Sequence, residues 1–206
     1  MITRHAFRTA ALGAAALSAA LLLTACGGAP TDTGAHPAHG ATATSTAAAH
    51  DAQDVAFAQG MIPHHQQALE MAGLAAGRAG SARVKDLAAR IEKAQAPEIR
   101  TMSGWLKSWG EQPPMTGMDH SAHSGMSGMT GMMSGDDMAD LEKKKGATFD
   151  SAFLSLMIRH HQGAVEMART EKDKGRYAPA QKLADAVVQG QSAEIAEMKK
   201  LLDSGE

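Results

Sequence analysis

The chain has 206 residues, of which 44% are hydrophobic, 20% charged and only 3% aromatic, a size for one domain or two small ones. Its 20 Lys and Arg against 22 Asp and Glu leave a net charge of −2, which gives no electrostatic case for nucleic-acid binding, since that needs a basic face. A single cysteine excludes an internal disulfide and a thiolate zinc cluster, whereas 14 Met and 10 His are out of proportion and lean toward soft and borderline transition metals.

The N-terminus reads as an address. Arg4 and Arg8 precede an apolar or small-residue run from Ala10 to Leu23, which ends in Leu23-Thr24-Ala25-Cys26. A basic start, an apolar core and small residues at its end predict a signal peptide over residues 1–25. The run is too short for a comfortable transmembrane helix. Its last four residues resemble a bacterial lipobox, in which the cysteine is lipidated and becomes the first residue of the mature chain. An ordinary signal with a chance cysteine, or an uncleaved anchor, are the alternatives. The expectation is an extracytoplasmic lipoprotein held to the membrane through Cys26. Residues 26–50 are Ala, Gly, Thr, Ser and Pro with scattered His36, His39 and His50, which predicts a disordered tether.

An internal repeat organises the remainder, residues 51–206. The segment from Phe57 to Ala72 matches that from Phe153 to Ala168 at a shift of 96 residues, with ten of sixteen positions identical. At the same shift Leu87, Ile91, Gln95, Glu98, Ile99 and Met102 align with Leu183, Val187, Gln191, Glu194, Ile195 and Met198. Apolar residues at helical spacing predict helices over 51–77, 82–109, 148–173 and 178–203. The turns at Gly77 to Ser81 and Lys174 to Pro179 are short, so each pair is an antiparallel hairpin. The hairpins span 51–110 and 148–204, and such units bury their stripes as an all-α four-helix bundle. The connection, 111–147, carries a short helix near Asp137 to Lys145.

On a helical wheel turning about 100° per residue, Phe57, Met61, His64, His65, Ala68 and Met71 fall together on one side. They share an arc of roughly 120°, the width of a core-facing stripe. Met157, His160, His161, Ala164 and Met167 repeat the arrangement, while Glu70 and Glu166 point away. A Met at this spacing ordinarily fills core, and a single buried His is ordinarily hydrogen-bonded. Four histidines in two matched pairs, each flanked by methionines, point instead to ligation, because buried imidazoles need a partner. Imidazole and thioether together suit copper. Neighbouring His64 and His65 diverge by about 100°, so one of each pair is the expected ligand and the other a core partner or a second site.

On the second helices Gln95, Glu98, Gln191 and Glu194 lie on the apolar arc and need partners. A carboxylate accepting an imidazole N–H would orient the ring for metal, so these four are expected to support the ligands. Trp105, Leu106 and Trp109 read as core and helix-end packing. The segment from Met115 to Met138 holds seven Met, together with His120 and His123. It is too rich in Gly and Ser to build a core and is expected to be mobile. Met115, Met118, His120, His123, Met126, Met129, Met132 and Met133 are its candidate ligands, as soft thioethers favour Cu(I) or Ag(I).

The motif M-I-x-H-H-x-x-A-x-E-M-A after a Phe, present twice, and the pattern Q-x-x-E-I-x-x-M on each second helix resemble the family called domain of unknown function 305, which includes CopM-type copper-binding proteins. The resemblance covers about 51–110 and 147–203. It implies a ferritin-like four-helix bundle, an extracytoplasmic setting and Cu(I) or Ag(I) binding through Met and His. Carried over residue by residue, the ligands are Met61, His64, His65, Met71, Met157, His160, His161 and Met167. The functional expectation is a lipid-anchored copper-binding protein that buffers or sequesters copper and delivers it to a partner the sequence does not identify. The alternative is a Cu(I) or Fe(II) oxidase, which lacks here the Glu-x-x-His pair of di-iron bundles. A weaker alternative is an envelope structural protein with a Met-rich core and no metal.

Overall fold

A computed structural model describes residues 49–114 and 130–205. The expected signal peptide, Cys26, His36, His39, Met115, Met118, His120, His123, Met126 and Met129 lie outside the described residues. Five helices follow one another: α1 (Ala52–Arg78), α2 (Ala82–Trp109), α3 (Gly135–Lys143), α4 (Ala147–Lys174) and α5 (Ala178–Asp203). The four long ones match the expected spans to within a residue or so, and α3 is the expected short helix, begun two residues earlier.

Each start has a local cause. Asp51 caps α1 in a reciprocal box with Asp54, and Ser134 does the same for α3 with Asp137. Ser81 caps α2 through the amide of Arg83, and Pro179 sits in the first turn of α5, where its missing N–H is harmless. Pro63 and Pro97 lie inside α1 and α2 without breaking them.

The hairpins α1–α2 and α4–α5 pack through α1 and α4. The polar contacts at the two ends fix this pair as antiparallel and come from a repeat position outside the matched motif. Asp54, buried in the first turn of α1, accepts the backbone N–H groups of Arg176 (3.1 Å) and Tyr177 (2.9 Å) in the α4–α5 turn. Asp150, 96 residues on and equally buried, accepts those of Gly80 and Ser81 in the α1–α2 turn at 2.9–3.1 Å. Each hairpin therefore caps the turn of the other.

The apolar core falls into two clusters. One gathers Met71, Leu87, Ile91, Phe149, Phe153, Leu154 and Met157. The other gathers Phe57, Met61, Ile62, Met102, Leu106, Ala164 and Ala168. Along α1 the sequence passes from Phe57 and Met61 in the second cluster, through His64 and His65, to Ala68 and Met71 in the first. The histidines thus form a polar layer between two apolar halves.

Two expectations are corrected. The expected tether runs through His50, yet the His50 ring stacks on Trp109 with centroids 4.4 Å apart, because an aromatic helix end offers it a flat apolar face. The expected mobile connection includes Met132 and Met133 as free ligands. Its end is built onto the bundle instead, and Met133 is buried core. The side-chain amide of Gln67 holds the Met133 backbone at both ends, accepting its N–H (2.8 Å) and donating to its carbonyl (2.9 Å). No described helix is long and apolar enough to cross a membrane.

Candidate metal centre

His64, His65, His160 and His161 are all fully buried. The stripe that places them also brings α1 and α4 together, with Ala68 and Ala164 one turn on leaving room for the rings. The His64 and His160 rings meet at a centroid separation of 3.7 Å, tilted by 41°. Neither nitrogen of either ring has a hydrogen-bond partner. Burial, with the neighbouring His65 and His161 adding to it, pushes the His64 pKa down to about 3, and burial also holds His160 well below the ordinary histidine range. Both rings are neutral at physiological pH, and each presents one bare lone pair.

The other two imidazoles are held from α2 and α5. The Nε2 of His65 lies 2.7 Å from Glu98 Oε2, and that of His161 lies 2.7 Å from Glu194 Oε2. A carboxylate accepts only from an N–H, so the contact puts a proton on Nε2 and leaves Nδ1 as the ring's other nitrogen. Both Nδ1 atoms are buried and without partners. This is the arrangement by which carboxylates orient metal-binding histidines. The two glutamates are partly exposed, 21% and 17% at their side chains, and so connect the buried rings to the surface. Gln95 and Gln191 are buried beside them, but both amide atoms of Gln95 and Oε1 of Gln191 lack partners. The glutamates thus pair with the histidines as expected, and the glutamines do not.

Among the methionines, Met61 and Met157 are fully buried one turn from His64 and His160, in opposite apolar clusters. Met71 and Met167 lie seven residues beyond their histidines, about 10 Å along the helix, too far to share an ion with them on one helix. Met71 is core, and Met167 is half-buried against the second cluster. Glu70 and Glu166 are exposed on the far side, as the wheel requires. The sulfur of Met133 takes a contact from the Arg159 guanidinium at 3.5 Å, which leaves it a poor seat for a cation.

Among the described residues no three His, Cys, Asp or Glu side chains are arranged to hold one metal ion. Any ion in this layer must draw on thioether or amide donors beside imidazole, or on two imidazoles alone. Two nitrogens on opposite sides of an ion stand about 4 Å apart, given bonds of about 2 Å. Because each lone pair lies in its ring plane, the two centroids would then stand roughly 6 Å apart, so the stacked His64 and His160 rings, at 3.7 Å, must swing apart to share an ion.

Four features escaped the sequence reading. Asp54 and Asp150 were visible in principle, since D-x-A-F recurs at the shift of 96. Gln67 aligns with Gly163, a mismatch within the repeat that marks where the connection docks. Glu171 replaces the Ala75 of the first repeat and is buried next to Asp54.

The profile of a family described as Domain of unknown function (DUF305) matches residues 54–202. Several solved structures are similar. A DUF305 fragment from Deinococcus radiodurans is 34% identical, with 75% of this chain and 98% of that one covered and a TM-score of 0.65. CopM in its Cu(I)-bound form is 33% identical, with 73% and 96% covered and a TM-score of 0.60. CopM in its Cu(II)-bound form is 34% identical, with 74% and 97% covered and a TM-score of 0.63. CopM has also been solved with Ag bound. No curated protein matches the chain.

Proposed function

The chain belongs to the DUF305 family, and from that premise we propose that it binds copper, Cu(I) in preference, in the polar layer between α1 and α4. The cargo is held for buffering or sequestration outside the cytoplasmic membrane, by a protein anchored through Cys26. The observation that carries the reading is the set of six buried imidazole nitrogens without partners, on four rings brought to one level. Unsatisfied buried polar atoms are expensive, and this many gathered together call for a partner, which a bound ion supplies. Neutral imidazoles flanked by the thioethers of Met61 and Met157 are a soft, uncharged donor set, which fits Cu(I) and Ag(I) better than hard divalent ions. The Cu(I)-bound and Ag-bound forms of CopM support the same choice of cargo.

Binding is favoured over catalysis because the nitrogens of the stacked rings are closed off from solvent, which leaves a second substrate no approach to them. Titration of the purified protein with Cu(I) against a chromophoric chelator tests the reading. His64→Ala with His160→Ala lowers the tight-binding stoichiometry, and Glu70→Ala with Glu166→Ala does not. Met61→Leu with Met157→Leu keeps core volume and weakens Cu(I) binding. Equal binding by the histidine variant and the parent would remove the layer as the site. Sustained oxygen consumption on adding Cu(I) or Fe(II) would replace the buffer with an oxidase.

A further inference from the structure

The connection returns to the bundle at the level of the histidine layer, and it does so where the two repeats differ. Gln67 and Gly163 are equivalent positions, each one turn beyond His64 or His160. Gly163 is buried, and a Cβ there would strike the Thr130 carbonyl oxygen and stand 2.8 Å from the Gly131 Cα. Gly131 itself has φ +86°, and a Cβ on it would stand 2.9 Å from the Arg159 carbonyl oxygen and the Gly163 Cα. The backbone at Thr130 and Gly131 therefore lies flat on α4, which only two facing glycines permit. Across the groove, Gln67 on α1 clasps the Met133 backbone at 2.8 and 2.9 Å. Residues 130–133 thus span the groove between the two histidine-bearing helices. The Thr130 carbonyl faces the His64 ring closely enough to favour its protonated form slightly, without meeting hydrogen-bond geometry.

We infer that residues Thr130 to Met133 form a strap that closes the groove over His64 and His160 and sets the rate at which anything reaches or leaves these rings. The nitrogens of both rings are shut off from solvent, and among the described residues the strap lies across the groove on this side. Its hold is the Gln67 amide, the glycine-to-glycine contact and the buried Met133 side chain with Arg159 on its sulfur, all of them local to the strap. Such a segment opens locally without global unfolding. The asymmetry of the repeat has the same explanation, because a single chain crossing needs a clasp on one helix and a flat seat on the other. The strap deepens the copper reading, but its closure over the rings is a property of the protein without metal.

The full chain is tested with Gln67→Leu, which keeps side-chain size and removes the clasp, and with Gly163→Ala, which fills the seat. Carbethoxylation of neutral imidazole by diethylpyrocarbonate, followed at His64 and at His160 by mass spectrometry, reads access without metal. In Gln67→Leu the rate rises about tenfold over the parent, as expected for losing two hydrogen bonds from a local opening, and in Gly163→Ala it rises because the new Cβ meets the Thr130 carbonyl, with helicity unchanged in both. Release of bound Ag(I) to a competing thiol accelerates in parallel at unchanged stoichiometry. Parent-like carbethoxylation in folded Gln67→Leu overturns the strap, whatever Gly163→Ala does. If the parent takes up no Ag(I) or Cu(I), the copper reading falls while the carbethoxylation rates still decide the strap.

Discussion

Replacing His64 and His160 together by Leu should make the metal-free protein more stable. The two rings contribute four buried nitrogens without partners. An unmade buried hydrogen bond costs about 1–3 kcal/mol, and the lower figure suits rings that still stack on each other, giving about 4 kcal/mol for the pair. Leu is close to His in volume and adds apolar contact between the clusters on either side. For a domain of this size 1 kcal/mol corresponds to about 2–4 °C, so the midpoint should rise by roughly 8–16 °C. The parent should gain stability on adding Cu(I) or Ag(I), by linkage to binding, and the variant should lose that gain. The pH dependence separates the same two proteins. With the folded pKa of His64 held near 3, the unfolded chain takes up a proton below the ordinary value of 6.5 and the native state does not. Parent stability therefore falls as the pH drops from 6.5 toward 3, and the variant loses less over that window. Thermal denaturation followed by circular dichroism, with and without Ag(I), measures all three effects. A variant less stable than the parent at neutral pH without metal would refute the reasoning, since the imidazoles would then be satisfied and not strained.

Asp150→Asn removes a charged acceptor from the amides of Gly80 and Ser81 and should destabilise the fold by about 1–3 kcal/mol in urea denaturation, with Asp54→Asn showing a comparable loss at the other end. Glu171 is pushed up to about 8 by its burial and by Asp54 beside it, so the native state keeps a proton that the unfolded chain releases above about 4.5. Stability should accordingly decline between pH 4.5 and 8, and Glu171→Gln should flatten that decline in a series of thermal melts. Cys26→Ala should shift the protein from the membrane fraction to a soluble extracytoplasmic one, and unchanged fractionation would remove the lipid anchor.

The helices and the histidine stripe were legible because both rest on local periodicity. Apolar spacing from Phe57 to Met71 fixes which face of α1 is buried, and the shift of 96 predicts that α4 behaves alike. That Glu98 and Glu194 would seek histidines was legible too, since a carboxylate on an apolar stripe needs a donor, but that each pairs within its own hairpin was not. Long-range polar contacts were not legible. Asp54 reaches Arg176 and Tyr177 across more than 120 residues of sequence, and no spacing rule announces a side chain that caps another hairpin's turn. Composition misled at Met133, whose surroundings are low in complexity, because the clasp by Gln67 and the burial of the Met133 side chain order a chain that periodicity leaves blank.

The departures from the repeat mark where one ligand layer served by two equal hairpins becomes a protein with a front and a back. On the side of α2 and α5 the halves remain matched, with Glu98 and Glu194 at the same 2.7 Å from their histidines and partly open to solvent. Where the connection crosses α1 and α4 the halves diverge, because one chain segment must be clasped by Gln67 and seated on Gly163. Matched carboxylates orient His65 and His161, whereas the strap lies over His64 and His160. The two classes of imidazole therefore differ in access although they are equally buried. An ion approaching along the glutamates meets His65 and His161 first, and it reaches the stacked pair only as fast as those rings or the strap give way.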